Sequence, residues 1–190
     1  MIEFNQFRRN LARFQEDLEP VLRASFDRLR EMSGEPLAGY GLVSTETAET
    51  LGCVAQTRRH RMRSLAAAAR LESARWDGEE WDLHLDDGTA HELLQRVGLS
   101  GIESDEVFDT AVAEVFEACV TVLERMVRSG YFDVTGARTD HVVRFWPSDW
   151  EDTDVEIAWV ARLNPPELAE EFARYVRGEP SPLPVLDPFD

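Results

Sequence analysis

A chain of 190 residues, 43% hydrophobic and 30% charged, has the size and composition of one globular domain. No apolar run approaches the about 20 residues that a membrane helix requires, and the amino-terminal stretch is not of signal-peptide type, so we expect a cytoplasmic protein. The formal net charge of -17, from 37 acids and 20 bases, disfavours nucleic acid and membrane partners and favours a basic protein.

The first segment of the chain predicts an amphipathic helix. Its apolar residues recur at steps of three and four, which is the spacing of one helical face. They are Phe4, Phe7, Leu11, Phe14, Leu18, Val21, Leu22, Phe26 and Leu29. Pro20 removes a backbone donor and crowds the preceding turn, so we expect a kink or a restart there. Gly34 is expected to end the helix.

Two short β-prone runs follow at 37–44 and 51–57, and the polar segment between them predicts an antiparallel hairpin. Thr57 is expected to cap a helix that begins with the arginine-rich stretch RRHRMR. A further strand is predicted at 141–146, where the sequence reads HVVRFW.

The stretch SARWDGEEWDLH, residues 73–84, places two tryptophans around a group of acids. With Asp77 as the N-cap of a helix, Glu80 stands at the capping-box position. Trp76 and Trp81 then stand at the two positions of a hydrophobic staple. Because these local rules account for both tryptophans, we interpret Trp76 and Trp81 as structural residues.

The same capping rules predict three further helix starts. The residues that fit them are Thr89 with Glu92, Ser148 with Glu151, and Asn164 with Pro165 and Glu167. Residues 155–163 suit either a strand or a helix, and the cap before them favours a helix.

The strongest helical pattern spans residues 104–130 and ends at Gly130. Its buried stripe is predicted to comprise Phe108, Val112, Val115, Cys119, Val122 and Met126. Together these elements predict an α+β fold, with a small, mainly antiparallel sheet packed against one long helix and several shorter helices. Residues 1–177 are expected to form a single domain and 178–190 a proline-rich C-terminal tail.

The chemistry-bearing residues form no recognised catalytic motif. The chain has no glycine-rich phosphate loop and no GxSxG turn, and no cofactor is predicted. A metal site could be imagined from His84, Asp86, Asp87 and His91, but their spacing favours a solvated loop, so no metal is predicted.

Three other groups of residues have simple structural interpretations. Cys53 and Cys119 lie in apolar surroundings without a CxxC partner, which indicates core packing. The only basic cluster of the sequence comprises Arg58, Arg59, Arg61 and Arg63. An anion site there is possible but unsupported. The aromatic set that could line a pocket, or pack in the core or at its rim, is Trp146, Trp150 and Trp159.

Several short motifs carry a family resemblance. The YGLVS run of the hairpin, the pairs Arg75–Trp76 and Glu80–Trp81, and the late RLNP at residues 162–165 resemble a bacterial family of uncharacterised proteins, domain of unknown function 4303. In that family a serine–proline pair often stands where Asp77 and Gly78 stand here, and aspartate preserves the cap. The resemblance covers roughly residues 17–176 and implies an α+β fold but no established activity.

Two hypotheses about function follow. The first is a non-enzymatic acidic binding protein, of an immunity type that occludes a basic toxin partner, because small acidic bacterial proteins are often encoded beside toxin genes. The candidate binding residues are Glu79, Glu80, Asp82, Asp86, Asp87, Glu151, Asp152 and Asp154. The alternative is an enzyme or a small-molecule-binding domain with a tryptophan- and acid-lined pocket. Acidity that serves only solubility is a third interpretation of the charge.

Overall fold

The computed structural model describes residues 4–66, 73–85, 88–132 and 141–179. The helices in these ranges are α1 (Phe4–Ser33), α2 (Arg58–Ala66), α3 (Ser73–Trp76), α4 (Thr89–Gln95), α5 (Asp105–Arg128), α6 (Thr153–Leu163) and α7 (Pro166–Val176). The strands are β1 (Leu37–Ser44), β2 (Leu51–Thr57), β3 (Leu83–Leu85) and β4 (Val142–Pro147). The predicted tail lies outside the described residues from position 180 onwards.

The strands form one sheet in the order β3-β2-β1-β4. β1 pairs antiparallel with β2, and β2 pairs antiparallel with β3, so the predicted hairpin and the mainly antiparallel sheet are confirmed. β4 pairs with β1 in parallel. The α+β fold class is therefore confirmed, while β3 was not predicted from the sequence.

One face of the sheet carries the larger core. Tyr40 and Leu42 of β1 and Phe145 of β4 project into it and are buried against the apolar stripes of α1, α4 and α5. α1 is one continuous helix that contains Pro20, so of the two expected outcomes, a kink or a restart, the restart does not occur. The stripes on both sides of this proline are buried in the same core, and their packing outweighs the lost backbone hydrogen bond.

The other face of the sheet carries a smaller core beneath α3, α6 and α7. Val54, Val142 and Phe172 are buried there together with Trp76 and Trp81. Most of the room for Trp81 comes from two glycines of β1, since a Cβ atom on Gly39 would lie 2.9 Å from the indole and one on Gly41 would lie 3.4 Å from it.

The α-helix predicted after Asp77 does not form. Gly78–Glu80 form a single turn of 3-10 helix, and the chain then enters β3 beside β2. Helix formation stops here because Trp81 must reach across the sheet and Leu83 must pair with β2. Both tryptophans are nevertheless buried, as a structural role requires.

The other predicted caps are displaced by one or more residues. Gly88, with φ of 70°, precedes α4, so Thr89 is the first helical residue instead of its cap. Ser148 donates its N–H to Ser44 O at 2.8 Å and prolongs the sheet, so α6 begins only after Asp152. Pro165 is the N-cap of α7, and Asn164 ends α6 instead of starting the next helix.

The direction of α5 follows from its aromatic contacts. Trp150, just after β4, packs on Phe116 of α5 with ring centroids 5.3 Å apart. Phe132, just after α5, stacks on His141, which immediately precedes β4, at 5.8 Å. α5 therefore runs antiparallel to β4 and begins at the end of the sheet where β1 and β4 finish.

α6 and α1 share this direction. The end of α6 returns to the start of β4, where the Asn164 side chain bonds to the β4 backbone at 2.7 and 2.8 Å. α1 runs parallel to α5, because Arg8 bonds to Glu114 in the first half of α5 and Gln15 O accepts from Arg125 near its end. The positive ends of three helix dipoles therefore face the same end of the sheet.

No helix within the described ranges combines the length and the apolarity that crossing a membrane would require.

Candidate functional site

Three acid-bearing segments meet at the end of the sheet where β1 and β4 finish. The hairpin loop is joined to α4 by a hydrogen bond from Gln95 Nε2 to Glu49 O at 3.1 Å. The turn before α6 is joined to β1 through Ser148, and Trp150 in that turn packs on α5. We call this region the acidic end and define it by the exposed residues Glu46, Glu49, Glu103, Asp105, Glu106, Asp149, Glu151, Asp152 and Asp154.

The ion pairs of the described chain join arginines to acids outside the acidic end. Arg162 bonds to Glu117 and Glu124 of α5, and Arg75 bonds to Glu171 of α7 at 2.5 and 2.6 Å. Among the residues that the structure describes, none of the nine acids of the acidic end forms an ion pair. Nine exposed acids without an ion pair therefore lie together at the acidic end.

The acids at the start of α6 also shape the backbone. Asp152 accepts a hydrogen bond from the Val155 N–H at 3.1 Å and caps the helix. Asp154 lies in the first turn, where the helix dipole favours a negative charge. Both carboxylates are therefore held at the start of α6 by the fold and remain exposed to solvent.

The structure separates the predicted binding residues into two groups. Glu151, Asp152 and Asp154 belong to the acidic end. Asp82 lies at the opposite end of the sheet, where its carboxylate accepts from the Thr57 N–H at 2.9 Å and from the Thr57 hydroxyl at 2.7 Å. Because β2 rises about 3.3 Å per residue, the two ends are about 20 Å apart.

Of the remaining predicted residues, Glu80 is the one whose side chain the structure describes. Glu80 is half-buried in the 3-10 turn and has a partner of its own. Asp86, Asp87 and the side chain of Glu79 lie outside the described residues.

A cavity of about 360 Å³ opens beside the hairpin at the acidic end. It is lined by Val43, Thr50, Leu51, Gly52, Cys53, Leu85, Gly88, Ala90 and His91. Leu51, Cys53, Leu85 and Ala90 are buried and form its floor, whereas Thr50 is exposed at its mouth. Sequence reasoning missed this site because its walls come from three strands and a helix whose proximity no local pattern shows.

The most unusual charged group of the described chain lies on the other face of the sheet. Arg144 of β4 bonds to Glu156 of α6 at 3.0 Å, and both side chains are about nine-tenths buried. The guanidinium carbon lies 4.9 Å from the ring centre of Phe172 and 5.4 Å from that of Trp146. Burial lowers the pKa of Arg144, and the charge and hydrogen bond of Glu156 oppose this shift. The pair ties β4 to α6.

Three buried donors in this region have no hydrogen-bond partner in the described chain. They are Trp76 Nε1, Trp81 Nε1 and Arg144 Nε. Trp76 packs on Phe172 at 5.0 Å, and a Cβ atom on Gly78 would approach Trp146 to 2.9 Å. The cluster is therefore tightly packed around Arg144.

The tryptophans that could have lined one pocket lie on different faces of the sheet. Trp150 and Trp159 stack at 6.0 Å between ring centroids and pack on Phe116 in the larger core. Trp146 contacts Arg144 on the other face. The core-packing interpretation of Trp150 and Trp159 is thus confirmed.

The other sequence candidates have structural partners. His84 Nε2 lies 2.8 Å from Trp81 O, and within the described ranges no three potential metal ligands come together. Arg61 is buried and donates to Gln56 Oε1 at 2.8 Å and to Ala38 O at 2.7 Å, so it anchors α2 to the sheet. Cys119 is buried as predicted, and burial raises the pKa of its thiol well above the usual range.

Comparison with known proteins identifies the family. The family model described as Domain of unknown function (DUF4303) matches residues 18–165, and the chain belongs to this family. No curated protein and no solved structure matches the chain. The motif residues that carried the resemblance are structural, since Trp76 and Trp81 are buried and Asn164 bonds to β4.

Proposed function

We propose that this protein is a non-enzymatic binding protein whose acidic end receives the basic surface of a partner protein. In the specific form that we propose, it is an immunity-type protein of a bacterial cytoplasm and occludes a basic toxin domain. The two cysteines support this compartment, because both are buried and form no disulfide.

The observation that carries the proposal is the concentration of unpaired acids at the acidic end. Several acids elsewhere in the described chain are paired with arginines, as in the contacts of α1 with α5 and of α5 with α6. At the acidic end, acids such as Glu103, Glu151 and Asp154 are exposed and form no ion pair within the described residues. Acidity that served only solubility would not require this separation.

The physical effect of such a surface is mainly on the rate of association. Exposed charges separated by less than the Debye length of about 8 Å at physiological salt act together on an approaching partner. Electrostatic steering of this kind raises association rates by about 10- to 1000-fold. Each single surface charge contributes little to the stability of the fold, so reversing charges should not unfold the protein.

The experiment compares two triple variants with the same change in net charge. Glu103→Lys, Glu151→Lys and Asp154→Lys together reverse charges at the acidic end and leave the capping residue Asp152 in place. Glu16→Lys, Asp17→Lys and Glu31→Lys together do so on α1, where these acids are exposed. Each protein is used to capture partners from the native host, and the association rate of the captured partner is measured against salt.

We expect the captured partner to be basic and its association rate to fall about tenfold or more in the acidic-end variant. The α1 variant should associate within about twofold of the unmodified chain, because distant charges are screened. Equal rates for both variants, or capture of an acidic partner, would contradict the proposal. Inhibition of the partner's toxic activity tests the immunity form.

A further inference from the structure

The cavity beside the hairpin opens within the acidic end. Thr50 at its mouth directly follows Glu49, whose carbonyl is bonded to α4. The Ser44 hydroxyl donates to Thr50 O at 2.7 Å, and Ser44 O accepts from Ser148 in the turn that precedes the acids of α6. The wall of the cavity is thus bonded to the acid-bearing turn itself.

The size and lining of the cavity suit an apolar side chain. Its volume of about 360 Å³ is more than twice that of an engineered cavity of about 150 Å³ that holds benzene. Leu51, Cys53, Leu85 and Ala90 supply an apolar floor, and the polar Thr50 lies at the mouth. A charged group placed against Leu51, Leu85 and Ala90 would lose its hydration, and the half-buried His91 is the one basic side chain in the described lining.

We propose that the cavity receives one large apolar side chain, of phenylalanine or leucine size, from a basic segment of a partner protein. The proposal rests on the proposed function and deepens it, because it adds an apolar anchor to the electrostatic contact. In protein interfaces a few buried anchors carry most of the affinity, and surrounding charges steer the encounter.

Charge complementarity selects this occupant. An anionic lipid or fatty acid would carry its negative group past Glu49, which directly precedes Thr50 at the mouth, and be repelled by it. A segment with arginines on either side of an aromatic residue places positive charge over the acids while the aromatic ring enters the cavity.

The experiment uses two synthetic heptapeptides as probes, each with three arginines on either side of a central residue. The central residue is phenylalanine in one peptide and alanine in the other, and both are titrated against the full chain by calorimetry. Burial of a phenylalanine ring predicts that the first peptide binds about tenfold or more tightly than the second.

Two variants assign this preference to the cavity. Thr50→Trp introduces a large ring at the exposed mouth and should abolish the preference for phenylalanine while leaving the alanine peptide unaffected. Thr47→Trp is the matched control, since Thr47 lies in the same loop but does not line the cavity. Ala90→Leu fills the floor and should have the same effect as Thr50→Trp, which guards against a local effect of one substitution.

The outcomes separate this proposal from the proposed function. If both peptides bind equally well and only the acidic-end triple variant weakens them, the anchor is wrong and the acidic surface stands. If the acidic-end and α1 triple variants weaken them equally, the proposed function fails. A phenylalanine preference that survives in Thr50→Trp would overturn the cavity assignment. Self-association of the unmodified chain that Thr50→Trp abolishes would assign the cavity to a second copy and also overturn it.

Discussion

Replacing Asn164 by alanine should destabilise the protein because Asn164 supplies both hydrogen-bond partners of one buried strand residue. Asn164 Oδ1 accepts from the Val143 N–H at 2.8 Å, and Asn164 Nδ2 donates to Val143 O at 2.7 Å. Val143 lies on the edge strand β4 and is 1% exposed, so water does not replace these bonds. The Val160 carbonyl, which also accepts from Asn164 Nδ2, keeps its bond to the Asn164 N–H at 3.0 Å.

The expected loss is that of two orphaned backbone groups. Each buried group left without a partner costs about 1–3 kcal/mol, so the free energy of unfolding should fall by about 2–6 kcal/mol. Urea unfolding followed by circular dichroism measures this quantity, and an unchanged slope would show that the unfolded state is unaffected. Asn10→Ala is the control, because the two bonds that it removes, one accepted from Gln6 Nε2 at 2.7 Å and one donated to Val97 O at 3.2 Å, are only half-buried, and it should cost about 1–2 kcal/mol. The reasoning is refuted if Asn164→Ala is no more damaging than Asn10→Ala.

Three further predictions concern the second face of the sheet and the titration of Tyr131 at the edge of the core. Glu156→Ala should leave Arg144 buried without its carboxylate and lower the free energy of unfolding by about 3–5 kcal/mol, whereas Arg144→Met combined with Glu156→Leu should recover most of this loss in the same urea assay. Gly41→Ala should lower the melting temperature, because the new Cβ would lie 2.7 Å from Arg144 O. Gly52→Ala should lower it much less, because its Cβ would meet only one methyl group, at 3.3 Å. Equal shifts in melting temperature would contradict this account. Burial and a hydrogen bond to Asp27 raise the pKa of Tyr131 to about 12. The stabilisation that this shift provides should be fully present below pH about 10 and should be lost as the pH rises towards 12. Tyr131→Phe should flatten this alkaline decline in melting temperature, measured over a range of pH.

The long helices and the hairpin could be predicted from the sequence because their signals are local and periodic. The apolar stripes of α1 and α5 repeat at helical spacing over many turns, and the two runs of the hairpin are separated by a short polar loop. Arg61 shows the limit of such reasoning. It belongs to a basic cluster in the sequence, yet packing buries it against Gln56 and the backbone of β1.

Capping residues predicted where helices begin less well than apolar periodicity predicted the helices themselves. Asp77, Ser148 and Asn164 each carry a side chain that can cap a helix, but each stands where the sheet makes a competing demand on the chain. Ser148 extends the pairing with β1, and Asn164 saturates β4. The segment after Asp77 crosses the sheet and then enters β3. Several such residues occur within a few positions of each helix start, so tertiary contacts decide which of them serves as the cap.

By itself the sequence determined the fold class, the main helices, the hairpin, the excess of acid and the structural role of the tryptophans. Only the tertiary structure decided that β4 joins β1 in parallel, and that α1, α5 and α6 begin at one end of the sheet. This arrangement brings the segments that carry Glu49, Glu103 and Glu151 to one end of the sheet and places Asp82 at the opposite end. The physical reason is that periodicity and capping depend on neighbours within one or two turns. The acidic end depends on contacts between residues many positions apart, whose pairing is fixed only when the two cores pack.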